Sequence, residues 1–169
     1  MRLKSSFYCL SLILFIFSSC KFYTFSGVDT GEAKTVSIEY IVNRAALVSP
    51  TLSQTLTENL KTKFVNETRL SLIDGEGDLN ISGSITGFAI APVAVSGGNQ
   101  AQATQNRLTI TVNIIFTNKL DETKNFEQTF SNFKDFDANL NFSSVESTLI
   151  AGVTELLVQE IFNRAVINW

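Results

Sequence analysis

The chain has 169 residues, with 13 Lys+Arg against 16 Asp+Glu, no histidine and two cysteines. Without histidine the commonest general base is gone, along with Ser-His and Cys-His nucleophile pairs and most zinc or iron sites. The weakly acidic balance argues against a nucleic-acid partner, which wants a basic face; the expectation is a non-enzyme with no metal and no cofactor.

The first 19 residues read as a removable address. Arg2 and Lys4 give a positive start, residues 7–17 an apolar run of about a dozen residues, and Ser18-Ser19 small side chains at a cleavage point. The run is too short to span a bilayer as a permanent helix. Cys20 follows directly, and this layout resembles a bacterial lipobox, with Phe17 where the common pattern has leucine. The chain is therefore expected to be cut before Cys20 and acylated on it; the plain alternative is a secretory signal with a cysteine beside it by chance. Several acyl chains on one cysteine anchor far better than one.

Three segments result: a signal over 1–19, a lipidated tether over 20–34 and a single domain over 35–169. The part after the signal has 150 residues and 11 Lys+Arg against 16 Asp+Glu, a balance of −5. That length suits one core burying roughly two thirds of its unfolded surface. Cys9 leaves with the signal and Cys20 is acylated, so no thiol remains for a disulfide. No other segment reaches 18 consecutive apolar residues.

Residues 35–42 alternate, with Val36, Ile38, Tyr40 and Val42 on one face and Ser37 and Glu39 on the other, as in a half-buried strand. Ser49-Pro50 reads as a hydroxyl N-cap with proline at the first helical position. Leu52, Leu56, Leu60 and Phe64 then mark an amphipathic helix over about 50–66. A short strand over 69–73 ends in the turn 74–78. Residues 79–92 form a strand whose Gly83 and Gly87 suggest a bulge or close backbone approach. Residues 93–105 are small and polar, a long hairpin loop. Residues 106–117 alternate most regularly, with Leu108, Ile110, Val112, Ile114 and Phe116 on one face. Residues 125–136 carry Phe126, Phe130 and Phe133, with a break of phase near the end. Ser143 and Glu146 read as a capping box. Val145, Leu149, Val153, Leu156, Leu157, Ile161 and Ala165 give a helical core stripe to about residue 166. The fold class is α+β: a two-layer sandwich of two helices on one mainly antiparallel or mixed sheet, in the order β-α-β-β-β-(β)-α.

Few constellations carry chemistry. Asp74, Glu76 and Asp78 alternate with glycines but lack the length and closing Glu of a calcium loop; a solvated turn is the better account. Asp135 and Asp137 share a strand face and could form an acid–base pair, but no cationic partner is identifiable from sequence. The 11 phenylalanines after the signal are mostly core. Phe22, Phe25, Phe133, Phe136 and Phe142 fit the buried stripes less well, and exposed aromatics mark protein or lipid contacts. Arg69, Arg107, Lys119 and Lys124, at or near strand ends, are candidates to meet anionic lipid headgroups.

With these residues in hand, the chain resembles the LptE family of lipopolysaccharide-assembly lipoproteins, in its Bacteroidetes-type form. The matching pieces are Cys20-Lys21-Phe22-Tyr23-Thr24-Phe25-Ser26-Gly27, the strand leading to Asn43, Pro50-Thr51-Leu52-Ser53 opening the first helix, and Thr68-Arg69-Leu70 with Gly77-Asp78-Leu79. They continue with a strand holding Pro92, the stretch Asn106-Arg107-Leu108-Thr109-Ile110, and the close from Ile161-Phe162-Asn163 to Trp169. Their order and spacing carry the resemblance across nearly the whole domain. The resemblance implies a lipoprotein on the periplasmic side of the outer membrane. There it would plug and support an LptD-type β-barrel and help place lipopolysaccharide in the outer leaflet. Arg107 is then the leading lipopolysaccharide contact, with Arg69, Lys119 and Lys124 beside it. The competing reading is a stand-alone periplasmic lipoprotein, a scaffold or a carboxylate-based hydrolase.

Overall fold

A computed structural model describes residues 30–47, 49–93 and 105–167. Tether residues 20–29, most of the long loop, Val48 and Trp169 lie outside the described residues, as do Cys20, Phe22 and Phe25. The elements are β1 (Thr35–Ile38), β2 (Val42–Asn43), α1 (Leu52–Glu67), β3 (Ser71–Leu72), β4 (Leu79–Val93), β5 (Gln105–Asn118), a 3-10 turn (Glu122–Lys124), β6 (Phe126–Asp137) and α2 (Phe142–Phe162). The last turn, Asn163–Ile167, widens to π geometry. The result is α+β, with two helices on one mixed sheet, as the patterning predicts.

The six strands run in the order β3-β1-β4-β5-β6, with β2 also paired to β4. The long members β4, β5 and β6 are antiparallel, while β1 runs parallel to β3 and β4, and β2 parallel to β4. The parallel pairs follow from α1, which carries the chain back between β2 and β3 so that they enter the sheet in the same direction.

Both helices cover one face. Leu52, Leu56, Leu60 and Phe64 of α1 are fully buried, each worth roughly 1.5–3 kcal/mol in apolar burial. Leu149, Val153, Leu157 and Ile161 of α2 are buried too, whereas Leu156 is exposed at the edge of that stripe. Phe64 and Phe162 meet edge to face at 5.0 Å where the helices pack. From the sheet side, Leu108, Ile110, Val112, Ile114 and Phe116 are all buried, as their alternation predicts.

Four local expectations are corrected. Alternation over 35–42 fails after Ile38: Ile41 is fully buried and Tyr40 and Val42 are exposed. The strand breaks there because the Ile41 N–H donates to Thr57 Oγ1 at 3.1 Å instead of to the sheet. Ser49 does not cap α1, whose N-cap is Thr51 with no side-chain bond. The Ser49 hydroxyl instead donates to Glu146 Oε1 at 2.9 Å, joining the starts of the two helices. That contact uses Glu146, so no capping box forms; Asn141 caps α2 by accepting from the Ser143 N–H at 3.1 Å. Finally, β6 pairs with β5 from Phe126 to Asp137 without interruption. The apparent break of phase arises because its helix-side positions 132 and 134 are Asn132 and Lys134, with Phe133 on the opposite face.

Of the glycine pair, Gly87 adjoins a register shift between Ile85 and Gly87. Gly83 marks a close approach, since a Cβ there would overlap the Asn113 carbonyl oxygen.

Candidate functional site

Neither helix lies on the other face of the sheet, and the registers define what it presents. Rows across the strands read Ser37–Asn80–Thr117, Ser82–Ile115–Glu127, Ser84–Asn113–Thr129, Gly87–Thr111–Ser131, Ala89–Thr109–Phe133 and Ala91–Arg107–Asp135. Small hydroxyl and amide residues dominate the centre, and Glu127, Arg107 and Asp135 are the charged members of these rows. Residues of this face on β4, β5 and β6 are half-buried or exposed, with none fully buried. The polar side chains engage one another: Thr111 and Ser131 hydroxyls lie 2.9 Å apart, and Asn113 Nδ2 donates to Glu127 Oε1 at 2.7 Å. Alternation dictates this face, because each strand that buries an aliphatic row must turn the intervening row outward.

Arg107 sits at the end of the sheet where β5 begins. Its Nε and Nη2 donate to the two Asp135 oxygens at 2.7 and 2.9 Å, a bidentate pair across the β5–β6 register. Its guanidinium also lies 3.6 Å from the centre of the Phe133 ring. Hydrogen bonding from Arg107 lowers the Asp135 pKa, and Asp135 in turn raises that of Arg107. Of the less-fitting aromatics, Phe133 is 45% exposed, Phe136 is buried and Phe142 is half-buried.

The three other cations occupy the opposite end. Lys119 pairs with Glu76 at 2.7 Å, and that hydrogen bond lowers the Glu76 pKa. Lys124 lies 3.6 Å from Asp121, whose pKa is lowered first by the Thr123 hydroxyl. Arg69, just before β3, is exposed and makes no ion pair among the described residues. Arg107 and Lys119 are twelve residues apart along one strand line, roughly 40 Å at 3.4 Å per residue. The structure therefore gathers Arg69, Lys119 and Lys124 at one end and sets Arg107 apart from them.

The acidic turn is a clasp. Asp78 Oδ2 accepts from the Lys34 N–H, the Thr35 N–H and the Thr35 hydroxyl at 2.9, 2.9 and 2.8 Å. The Lys34 backbone bond, followed by the Thr35 hydroxyl, lowers its pKa. This fastens the point where the tether enters the domain. Asp137 accepts from the Asn139 N–H at 2.8 Å, a turn rather than half of an acid–base pair. Among the described residues no three potential ligands cluster around a metal site, and no helix is long and apolar enough to cross a membrane.

Two contacts escaped the sequence reading. Arg164 lies 4.5 Å from the Phe126 ring centre and donates to Gln128 Oε1 at 3.3 Å. The Lys134 stem lies over Gly152 of α2. Both depend on which part of α2 and its terminal π turn faces β6, which no local pattern encodes. The Arg107–Asp135 pair was readable only once the β5–β6 register was known.

Comparison with known proteins gives a consistent family. The model of the LptE family, described as lipopolysaccharide-assembly, matches residues 33–165. No curated protein matches. Among solved structures, the hypothetical protein CT253 from Chlamydia trachomatis superposes with a TM-score of 0.56 at 9% identity, covering 78% of this chain and 95% of that one. Protein XCC0632 from Xanthomonas campestris gives 0.51 at 8% identity, covering 84% and 90%. At such identities these two show a shared fold.

Proposed function

The chain belongs to the LptE family of lipopolysaccharide-assembly proteins, and on that premise we propose that it is an outer-membrane lipoprotein that plugs an LptD-type β-barrel. It supports assembly of that barrel and assists insertion of lipopolysaccharide into the outer leaflet. Acylated Cys20 holds it on the periplasmic side. The role is one of binding and chaperoning, not catalysis.

The observation that carries this reading is the open sheet face. A barrel lumen is polar, and a plug must meet it with hydrogen-bonding groups that need not be desolvated as charges. Rows of Ser, Thr and Asn on a rigid sheet supply such groups, and the two helices bury the apolar face that would otherwise aggregate. Asp135, the carboxylate a hydrolase would need, is held ionised by Arg107, which favours binding over acid–base chemistry.

The cations divide the lipid-facing work. The tether enters beside Asp78, at the end holding Arg69, Lys119 and Lys124, so lipopolysaccharide phosphates near the anchored surface meet these three first. Arg107, already occupied by Asp135, contributes a second contact at the far end. Photocrosslinkers placed at Thr111 or Thr129 test the assignment of the face. Capture of a large β-barrel supports it, and capture of soluble periplasmic proteins alone overturns it.

A further inference from the structure

A cleft of about 550 Å³ opens where β1 leaves the sheet, within the roughly 300–1,000 Å³ range of small-ligand pockets. The break after Ile38 that buries Ile41 turns Tyr40 outward, 58% exposed, at the rim of this cleft. Ser37, only 5% exposed, lines it together with Ser82 and Thr117. None of these three hydroxyls has a hydrogen-bond partner among the described residues, and none is among the buried polar atoms left without one, so all three open into the cleft. Hydroxyls that open into a cleft and are unused by the protein are available to a ligand. Asn80, between Ser37 and Thr117 in the register, is fixed by two hydrogen bonds to Gly77 at 2.8 and 2.9 Å and retains further hydrogen-bonding capacity.

The lining selects the class of ligand. Glu39, Asp74 and Glu76 outnumber Lys61 and Lys119, and both lysines are already paired, with Glu58 at 3.3 Å and Glu76 at 2.7 Å. Neither lysine can hold a phosphate inside the cleft without giving up its carboxylate partner. Its apolar side chains, Ile38, Ile73 and the Tyr40 ring, are too few for an acyl chain. What remains is a neutral, polyhydroxylated ring, with one apolar face for Tyr40 and hydroxyls for the open donors and acceptors. We infer that this cleft is a saccharide-binding site formed by Tyr40, Ser37, Asn80, Ser82 and Thr117. It rests on the proposed function only for the source of the sugar, the glycan of lipopolysaccharide.

The test is saturation-transfer NMR on the full-length acylated protein in detergent. The probes are uncharged: oligosaccharides of the outer lipopolysaccharide glycan, freed of its acidic inner sugars and phosphates, and N-acetylglucosamine oligomers as peptidoglycan fragments. The expected result is transfer to sugar-ring protons of the outer-glycan oligosaccharide, with binding weakened about tenfold by Tyr40→Ala and retained in Tyr40→Phe. Ser82→Leu, which fills the cleft from the exposed face, abolishes the transfer. Transfer only to the peptidoglycan fragments, with the same dependence on Tyr40, supports the site and reassigns the sugar's source. No transfer to either probe, or transfer unchanged in Tyr40→Ala, overturns the inference. Barrel recovery from the same preparations separates this failure from failure of the plug reading, because a protein can bring down its barrel and still bind no sugar.

Discussion

Replacing Gly83 with alanine tests the sheet at its tightest point. A Cβ at residue 83 would overlap the Asn113 carbonyl oxygen, well inside the C···O contact of about 3.3 Å. It would also stand 3.1 Å from Ile114 Cδ1 and 3.2 Å from the Asn113 carbonyl carbon. Two of these three neighbours are backbone in the middle of the β4–β5 ladder, so relief requires the strands to separate. Overpacking of this kind costs about 1–3 kcal/mol, and a weakened ladder bond adds about 1. The reduced entropy of the unfolded chain returns about 0.4–1. The net loss is about 2 kcal/mol from a domain expected to hold about 5–15, or about 4–8 °C in Tm. Gly152→Ala is the matched control. Its Cβ would lie 2.8 Å from Lys134 Cε, the movable end of a side chain, while helix propensity gains about 0.5–1 kcal/mol. Thermal and urea unfolding of the two variants, followed by circular dichroism, should move them in opposite directions. A Gly83→Ala protein as stable as its parent, or more stable than Gly152→Ala, would refute the packing argument.

Four further outcomes are expected. Asp78 is ionised below its ordinary value of 3.8 in the folded state, so its contribution is present above that pH and is lost as pH falls through the lowered folded value. Urea melts between pH 5 and pH 2 should show a shallower acid limb in Asp78→Ala than in the parent; identical limbs would remove Asp78 from the clasp. Arg69→Glu should weaken lipopolysaccharide binding more than Lys119→Glu, because among the described residues Arg69 has no ion pair to break, whereas Lys119 is paired with Glu76; surface plasmon resonance on immobilised lipopolysaccharide decides the order. Phe64→Ala, which deletes a fully buried ring packed edge to face with Phe162, should cost about 3–5 kcal/mol in chemical denaturation. Cys20→Ala should abolish the acyl mass in mass spectrometry and release the protein from outer-membrane fractions, whereas retention there would exclude the cysteine as the anchor.

The elements that could be read from sequence were those whose burial is periodic. Strand β5 and helices α1 and α2 each bury one unbroken stripe, and a single periodicity specifies both the element and its inward face. Legibility failed where a non-local partner overrode the local pattern. Thr57, on α1, draws the Ile41 N–H out of the sheet and shifts the phase of everything after Ile38. Glu146 accepts from Ser49, ninety-seven residues earlier in the chain, which removes two expected caps at once. The candidate site shows the same division. Cations could be listed from sequence, but their availability depends on register: Asp135 occupies Arg107 and Glu76 occupies Lys119. The hydroxyl face was implicit in the strand alternation, while the cleft under Tyr40 exists only because that alternation breaks.

The most direct test of the plug reading is recovery of the full-length acylated protein from detergent-solubilised outer membranes, with quantification of what accompanies it. A large β-barrel is expected in stoichiometric amount, lost from the membrane when this chain is depleted. Recovery of the chain alone, with barrel levels unchanged on depletion, would contradict it.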